Sequence, residues 1–370
     1  MEKFFTKKTF LYNERIKQKG PIMRFKKIFF IALLASLTLT ACSTSNNTDN
    51  TAAKSAALIT DGSINDHSFN QSAWIGLEDY GKEYKLNKGA DGYQYFQVKS
   101  QNNLKKGIDK AIKQKYQTIF GIGSEAKNAI TSAAKSNPNK KFVIMDATIK
   151  GYPNIVSIRF RKDEGAYLAG VAAASETKTG KVGFIGGANS SVIRSFKRGF
   201  NQGVKDQAKK MHKKVTVYNQ NVGNFTNTFK ARNIASTMYG KNVDIIFHAA
   251  GKAGSGLFQA ARFINQARPA KNRVWVIGVD ADQSNLGRYN AKGGQEANFV
   301  LTSVITGVNV ATKDIASRSY QDEFPGGKTI TYDLKNNAVS ILPGQIDPAT
   351  WKKVQIARSK ILAGKIKIYG

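Results

Sequence analysis

With 370 residues, the chain has room for two domains of ordinary size. Its single cysteine excludes an internal disulfide, so the body must be held together by packing. A net charge of +32, from 57 Lys+Arg against 25 Asp+Glu, offers two kinds of partner, nucleic acid or an anionic surface such as acidic lipid and cell wall; the lysines lie in scattered runs (Lys105, Lys106, Lys110; Lys205, Lys209, Lys210) without interleaved aromatics, which argues against a single-strand nucleic-acid groove.

Residues 1–22 lack apolar periodicity, and Met23 followed by Arg24 begins a complete export signal, so Met23 is expected to be the true start. A charged segment (Arg24, Lys26, Lys27) precedes an apolar run from Ile28 to Thr38 and then Leu39-Thr40-Ala41-Cys42. The apolar run is shorter than the roughly 20 residues a membrane span needs. The small residues before the only cysteine read as a lipobox, with cleavage leaving Cys42 as a new N-terminus joined to diacylglycerol by a thioether. Residues 1–41 are then a signal region and 42–55, polar and small, a lipidated tether. The signal region holds 9 of the 57 basic and 2 of the 25 acidic residues, so a net charge of +25 stays with the mature protein. The predicted location is the extracytoplasmic face of the cell membrane.

From Ala56, short apolar runs alternate with amphipathic stretches: strand 57–60 and helix 68–84, strand 93–98 and helix 102–115, strand 118–121 and helix 124–136, then strand 142–145. A crossing segment at 156–160 and a helix at 163–177 lead to a second series: strand 182–185 and helix 190–210, strand 215–218 and helix 226–239, strand 244–248 and helix 254–267, strand 274–279. The pattern is α/β, two doubly wound parallel-sheet lobes of similar size with a ligand cleft between them. The remaining chain reads as a strand at 298–301, a helix at 303–317, a hairpin of 328–333 with 338–342, and a closing helix at 348–363. The expected N-terminal lobe is 56–158 plus about 296–320, and the C-terminal lobe 159–295 plus about 321–370.

Ligands of open α/β sheets sit beyond the carboxyl ends of the strands. The first strand ends at Asp61, followed by Asp66, Phe69 and Asn70 at the start of a helix, which supply a hydroxyl acceptor, an aromatic plate and an amide edge. Asp66 also has the character of a helix cap, and Phe69 opens an apolar stripe with Ala73, Leu77, Tyr80 and Tyr84. Other strand ends carry Gly121, Gly123 and Ser124, then Asp146, then Gly251 with Gly254 and Gly256, then Asp280. The glycine sets lack the third glycine of a dinucleotide fingerprint and the Lys-Ser/Thr pair of a phosphate-binding loop. His67, His212 and His248 are far apart, no Gly-x-Ser-x-Gly elbow is present, and neither an enzyme nor a cofactor or metal is expected.

Taken together, the lipobox, Asp61-Gly-Ser-Ile-Asn-Asp-His-Ser-Phe69-Asn70, Val182-Gly-Phe-Ile-Gly-Gly187, Ala249-Ala-Gly251 with Gly254-Ser-Gly256, Val276-Ile-Gly-Val-Asp280-Ala-Asp-Gln283 and Leu301-Thr-Ser303 resemble the basic membrane protein family. Its members include purine nucleoside receptor lipoproteins of bacterial ABC transporters. The resemblance implies a type I periplasmic-binding-protein fold and a protein that does no chemistry, with a purine nucleoside (inosine, adenosine or guanosine) held between closing lobes. It further implies that Phe69 and Phe225 stack on the base, Asn70 reads the base edge, Asp61 and Asp146 form the first lobe's wall, Gly251 lets backbone approach, and Asp280 accepts from ribose hydroxyls. The implied partner is an ABC permease, with the receptor a monomer. The chain departs from the family pattern at Asn227, where Asp is usual, at Thr306, where Lys is usual, at Lys197 for Glu and at Ser191 for Pro. Receptors for a free sugar or another small solute, or an adhesive basic lipoprotein holding anionic polymer, are the alternatives.

Overall fold

The computed structural model describes residues 54–368. The signal region, Cys42 and the tether up to residue 53 lie outside the described residues. The first sheet is built from β1 (Ala56–Thr60), β2 (Tyr93–Gln97), β3 (Thr118–Gly121), β4 (Lys141–Met145) and β5 (Ile155–Phe160), with helices α1 (Phe69–Glu83), α2 (Leu104–Lys113) and α3 (Lys127–Ser136) in the connections. Every residue of β1 is buried, as expected of a central parallel strand covered on both faces. Then α4 (Lys162–Glu176) leads into β6 (Lys181–Gly186), α5 (Ser191–Lys210), β7 (Thr216–Asn221), α6 (Thr228–Gly240), β8 (Ile245–Ala249), α7 (Ser255–Gln266) and β9 (Trp275–Asp280).

After β9 come a short antiparallel ribbon, β10 (Arg288–Asn290) with β11 (Glu296–Asn298), and then β12 (Val300–Thr306), α8 (Val308–Tyr320), β13 (Thr329–Tyr332), β14 (Val339–Ile341) and α9 (Pro348–Leu362). The first sheet runs β13-β5-β4-β3-β1-β2 and the second β14-β12-β9-β8-β6-β7. Strand for strand, the two orders match. Each is the doubly wound arrangement that places a crevice at the carboxyl ends of its strands.

Three expectations for the last 80 residues need correction. The strand expected at 298–301 in the first lobe is the longer β12, paired with β9 in the second sheet; its run Val-Leu-Thr-Ser-Val-Ile-Thr is rich in β-branched residues. Helix α8 therefore starts at Val308 and not at 303, and it packs on α1 of the first lobe. The hairpin is not formed: β13 pairs parallel with β5 in the first sheet, whereas β14 pairs antiparallel with β12 in the second. The chain thus crosses between lobes after β5, after β12 and between β13 and β14.

Helix α4 lies at the centre. All but the last two of its 15 residues are buried, and it packs on α5, α9, β12 and β14. Its approach to α5 is backbone to backbone, since a Cβ on Gly203 would lie 2.1 Å from the Tyr167 carbonyl oxygen. One hydrophobic cluster runs from Leu58, Phe120 and Val143 of the first sheet through Tyr167 and Leu168 of α4 to Phe184, Phe247 and Ile277 of the second. Separate clusters fill the outer faces under α2 and α3 and under α6 and α7.

Candidate functional site

The carboxyl ends of the two sheets enclose a cavity of about 650 Å3, and Asp61, Phe69, Asn70, Asp146, Phe225, Gly251 and Asp280 all line it. The first four come from the first lobe, at the ends of β1 and β4 and the first turn of α1; the last three come from the second, after β7, after β8 and at the end of β9.

At the α1 entrance, Asp66 does the capping. Its carboxylate accepts from the backbone N–H groups of Ser68 (2.9 Å), Asn70 (3.1 Å) and Gln71 (3.1 Å), which satisfies donors at the helix start that have no partner within the helix. The amide of Asn70 is held at both ends, with Oδ1 accepting from the Thr60 hydroxyl at 2.6 Å and Nδ2 donating to Asp66 Oδ2 at 2.8 Å. Asn70 is thereby fixed in orientation, with one amide hydrogen and one lone pair remaining for a ligand.

Asp280 meets the first lobe directly. Its Oδ2 accepts from the Ser68 hydroxyl at 2.6 Å, a buried bond between lobes, while its Oδ1 is buried without a hydrogen-bond partner. A buried carboxylate oxygen without a donor is costly, and Asp280 stands in the cavity wall. A second link between lobes runs from Gln283, whose Nε2 donates to the His67 carbonyl at 2.8 Å. Gln283 Oε1 in turn accepts from Val279 N–H (3.0 Å) and from the buried His248 Nε2 (3.0 Å).

Phe225 is seated by glycines. A Cβ on Gly187 would come within 2.3 Å of the Phe225 ring, and one on Gly251, which sits at φ +54°, would lie 3.5 Å from Phe225 Cβ. The Phe225 carbonyl accepts from Ala253 N–H at 2.8 Å. Gly251 therefore serves the aromatic plate of its own lobe as well as the cavity wall.

Two wall residues were not evident from the sequence. Lys162 opens α4 and is only 3% exposed; its ammonium lies 2.5 Å from Asp146 Oδ2 and 4.3 Å above the Phe69 ring. Glu125 follows Gly123 in the wall, and burial first, then the nearby Asp61 and Asp146 charges, push its carboxyl above the ordinary range. Burial likewise raises Asp61, against the hydrogen bonds that lower it. Of the departures from the family pattern, Asn227 caps α6 by accepting from Lys230 N–H at 2.9 Å. Thr306, at the place where Lys is usual in the family pattern, is buried with an unpartnered hydroxyl.

Two lobes of matching strand order thus enclose one polar and aromatic cavity. A family model for ABC transporter substrate-binding proteins, described as PnrA-like, matches residues 53–370. The chain belongs to that family. As a PnrA-like substrate-binding protein it is the solute-binding component of an ABC transporter and not an enzyme. Among curated relatives, the ABC transporter nucleoside-binding protein BmpA of Lactococcus lactis subsp. cremoris is 42% identical over 90% of this chain and 96% of its own length. Basic membrane protein A of Borreliella burgdorferi is 31% identical over 92% of this chain and 94% of its own. Among solved structures, an ABC transporter solute-binding protein of Aeropyrum pernix superposes with a TM-score of 0.72 at 22% identity, covering 85% of this chain and 92% of that one. A second, from Conexibacter woesei, gives 0.64 at 18%, covering 85% and 98%. These establish the two-lobed periplasmic-binding-protein fold of the PnrA-like chain.

Proposed function

We propose that the protein is a lipid-anchored receptor that binds a purine nucleoside between its lobes and presents it to an ABC permease. The observation that carries the ligand class is the cavity's division of labour: an aromatic ring from each lobe, Phe69 and Phe225, together with Asp280, whose Oδ1 lacks a donor. Flat faces suit a base and the free acceptor suits a ribose hydroxyl. The nucleoside-binding relative at 42% identity supports the same class. Asn70 and Asp146 would then read polar edges, Asp61 would lie in the wall, and Gly251 would admit backbone close to the ligand.

Anchoring rests on the lipobox ending at Cys42, which would hold the mature chain to the outer face of the membrane through diacylglycerol. The 48 basic residues of the mature chain would favour an anionic surface beside it. Calorimetric titration of the purified protein, unfolded and refolded to strip carried ligand, with inosine, adenosine, guanosine, cytidine, adenine and ribose tests the ligand class. Binding confined to purine nucleosides, lost at least tenfold in Phe69→Ala, is the expected result. Tighter binding of ribose or of cytidine would overturn it.

A further inference from the structure

Asp146 and Lys162 form a buried pair whose ammonium lies over the face of Phe69, the ring on which the proposed base stacks. Lys162 Nζ is 2.5 Å from Asp146 Oδ2 and is surrounded by the rings of Phe69 (4.3 Å), Phe196 (5.5 Å) and Phe160 (5.6 Å). Both residues line the cavity. Among the described residues, Asp146 Oδ1 has no hydrogen-bond partner, and one of the three Lys162 N–H groups is used by Asp146. What faces the cavity beside Phe69 is therefore an acceptor and a donor, side by side.

A burial of this kind is hard to ascribe to stability. Taking an ammonium and a carboxylate out of water costs about what their attraction returns, and an apolar pair of the same volume would pack among three phenyl rings at no such cost. The pair is directional, and its direction is toward the ligand.

We infer that Lys162 and Asp146 together read the lactam edge of a purine, Lys162 donating to O6 and Asp146 accepting from N1–H, and that this receptor prefers 6-oxopurine nucleosides to adenosine. The inference rests on the nucleoside reading above and deepens it. Inosine and guanosine present a carbonyl acceptor beside an N–H donor, which complements ammonium beside carboxylate. Adenosine presents the reverse, an amino donor and a ring-nitrogen acceptor, so that Lys162 would face an N–H and Asp146 a lone pair. A site built to hydrogen-bond one edge rejects the other because its own buried groups are left unpaired. The charge of the pair makes the penalty larger than for neutral groups.

The test is titration of the purified protein with inosine, adenosine and 1-methylinosine, which keeps O6 but lacks N1–H. Wild type is expected to bind inosine at least tenfold tighter than either of the others. Lys162→Met is expected to weaken inosine and to leave adenosine nearly unchanged, collapsing the ratio. Lys162→Gln, which keeps a donor without the charge and guards against misfolding of the first variant, should retain part of it. Adenosine binding as tightly as inosine in wild type, or an unchanged ratio in both variants, overturns the inference while leaving the receptor reading intact. Silence toward all three nucleosides, from protein shown to be folded, overturns the reading and the inference with it.

Discussion

Asp146 and Asp280 close the fourth strands of the two βα series with the same backbone, φ +65° in each. Few residue types tolerate that left-handed conformation, and aspartate and asparagine are among them. The strain turns each carboxylate from the strand's edge into the cavity. Their partners differ: a buried ammonium for Asp146 and a serine hydroxyl of the opposite lobe for Asp280. The matched lobes therefore present one compensated and one uncompensated charge to the same ligand.

Replacing Asp280 by Asn keeps a residue suited to φ +65° and removes one acceptor. Nucleoside binding should weaken at least tenfold, in line with about 1.5–3 kcal/mol for a hydrogen bond to a charged group. Ser68→Ala, which cuts only the bond between lobes, should cost less. Calorimetry on both, beside thermal melting to show an unchanged fold, reads the difference; equal losses would assign Asp280 to lobe closure alone.

Gly187→Ala places a methyl group 2.3 Å from where the Phe225 ring now lies. Nucleoside affinity should fall several-fold with little loss of stability, because the ring has the cavity to turn into. The same substitution combined with Phe225→Ala should add nothing to the effect of Phe225→Ala alone. A double-mutant cycle by titration checks this.

His248 carries a pH signature. Gln283 Oε1 is an acceptor, so His248 Nε2 bears the proton, and Nδ1 is buried with no partner. Burial pushes the imidazole from its ordinary 6.5 down to about 4, against the hydrogen bond it donates to Gln283, which raises it. The unfolded chain binds the extra proton first, so stability is whole above pH 6.5 and falls as pH drops toward 4, by on the order of 3 kcal/mol. Urea denaturation across that window should show the slope, and His248→Asn should flatten it.

A phosphate should be excluded. Asp61 and Glu125, both raised mainly by burial, already crowd the wall with Asp146, and the buried cation there is paired. Lys99 and Lys252 line the cavity but are solvent-exposed. Inosine 5′-monophosphate should bind at least a hundredfold more weakly than inosine at moderate salt. Comparable affinities in the same titration would mean that the phosphate reaches Lys99 or Lys252.

Much of this site is legible in the sequence because a doubly wound sheet puts its ligand at strand ends, and strand ends can be counted. Asp61, Asp146, Gly251 and Asp280 follow apolar runs whose length announces them. Lys162 was hidden for the opposite reason. It stands in Arg161-Lys-Asp-Glu164, a charged first turn that reads as a solvated helix end, and only the packing of α4 between the lobes buries it. The tail was misread where local pattern and tertiary pairing part. Two short strands separated by Asp333 to Ala338 look like a hairpin, yet those six residues carry the chain from one sheet to the other. The amide of Asn70 is a smaller case: its position at the cavity follows from spacing, but its ties to Thr60 and Asp66 are tertiary.

The outermost strands of the two sheets, β13 and β14, lie within thirteen residues of each other near the end of the chain. Neither sheet can acquire its last strand until that stretch has been made, however early its first four strands emerge. A long-range pairing of this kind is slow to form. Completion of the two lobes is thereby coupled, since one thirteen-residue stretch supplies the closing strand of each sheet.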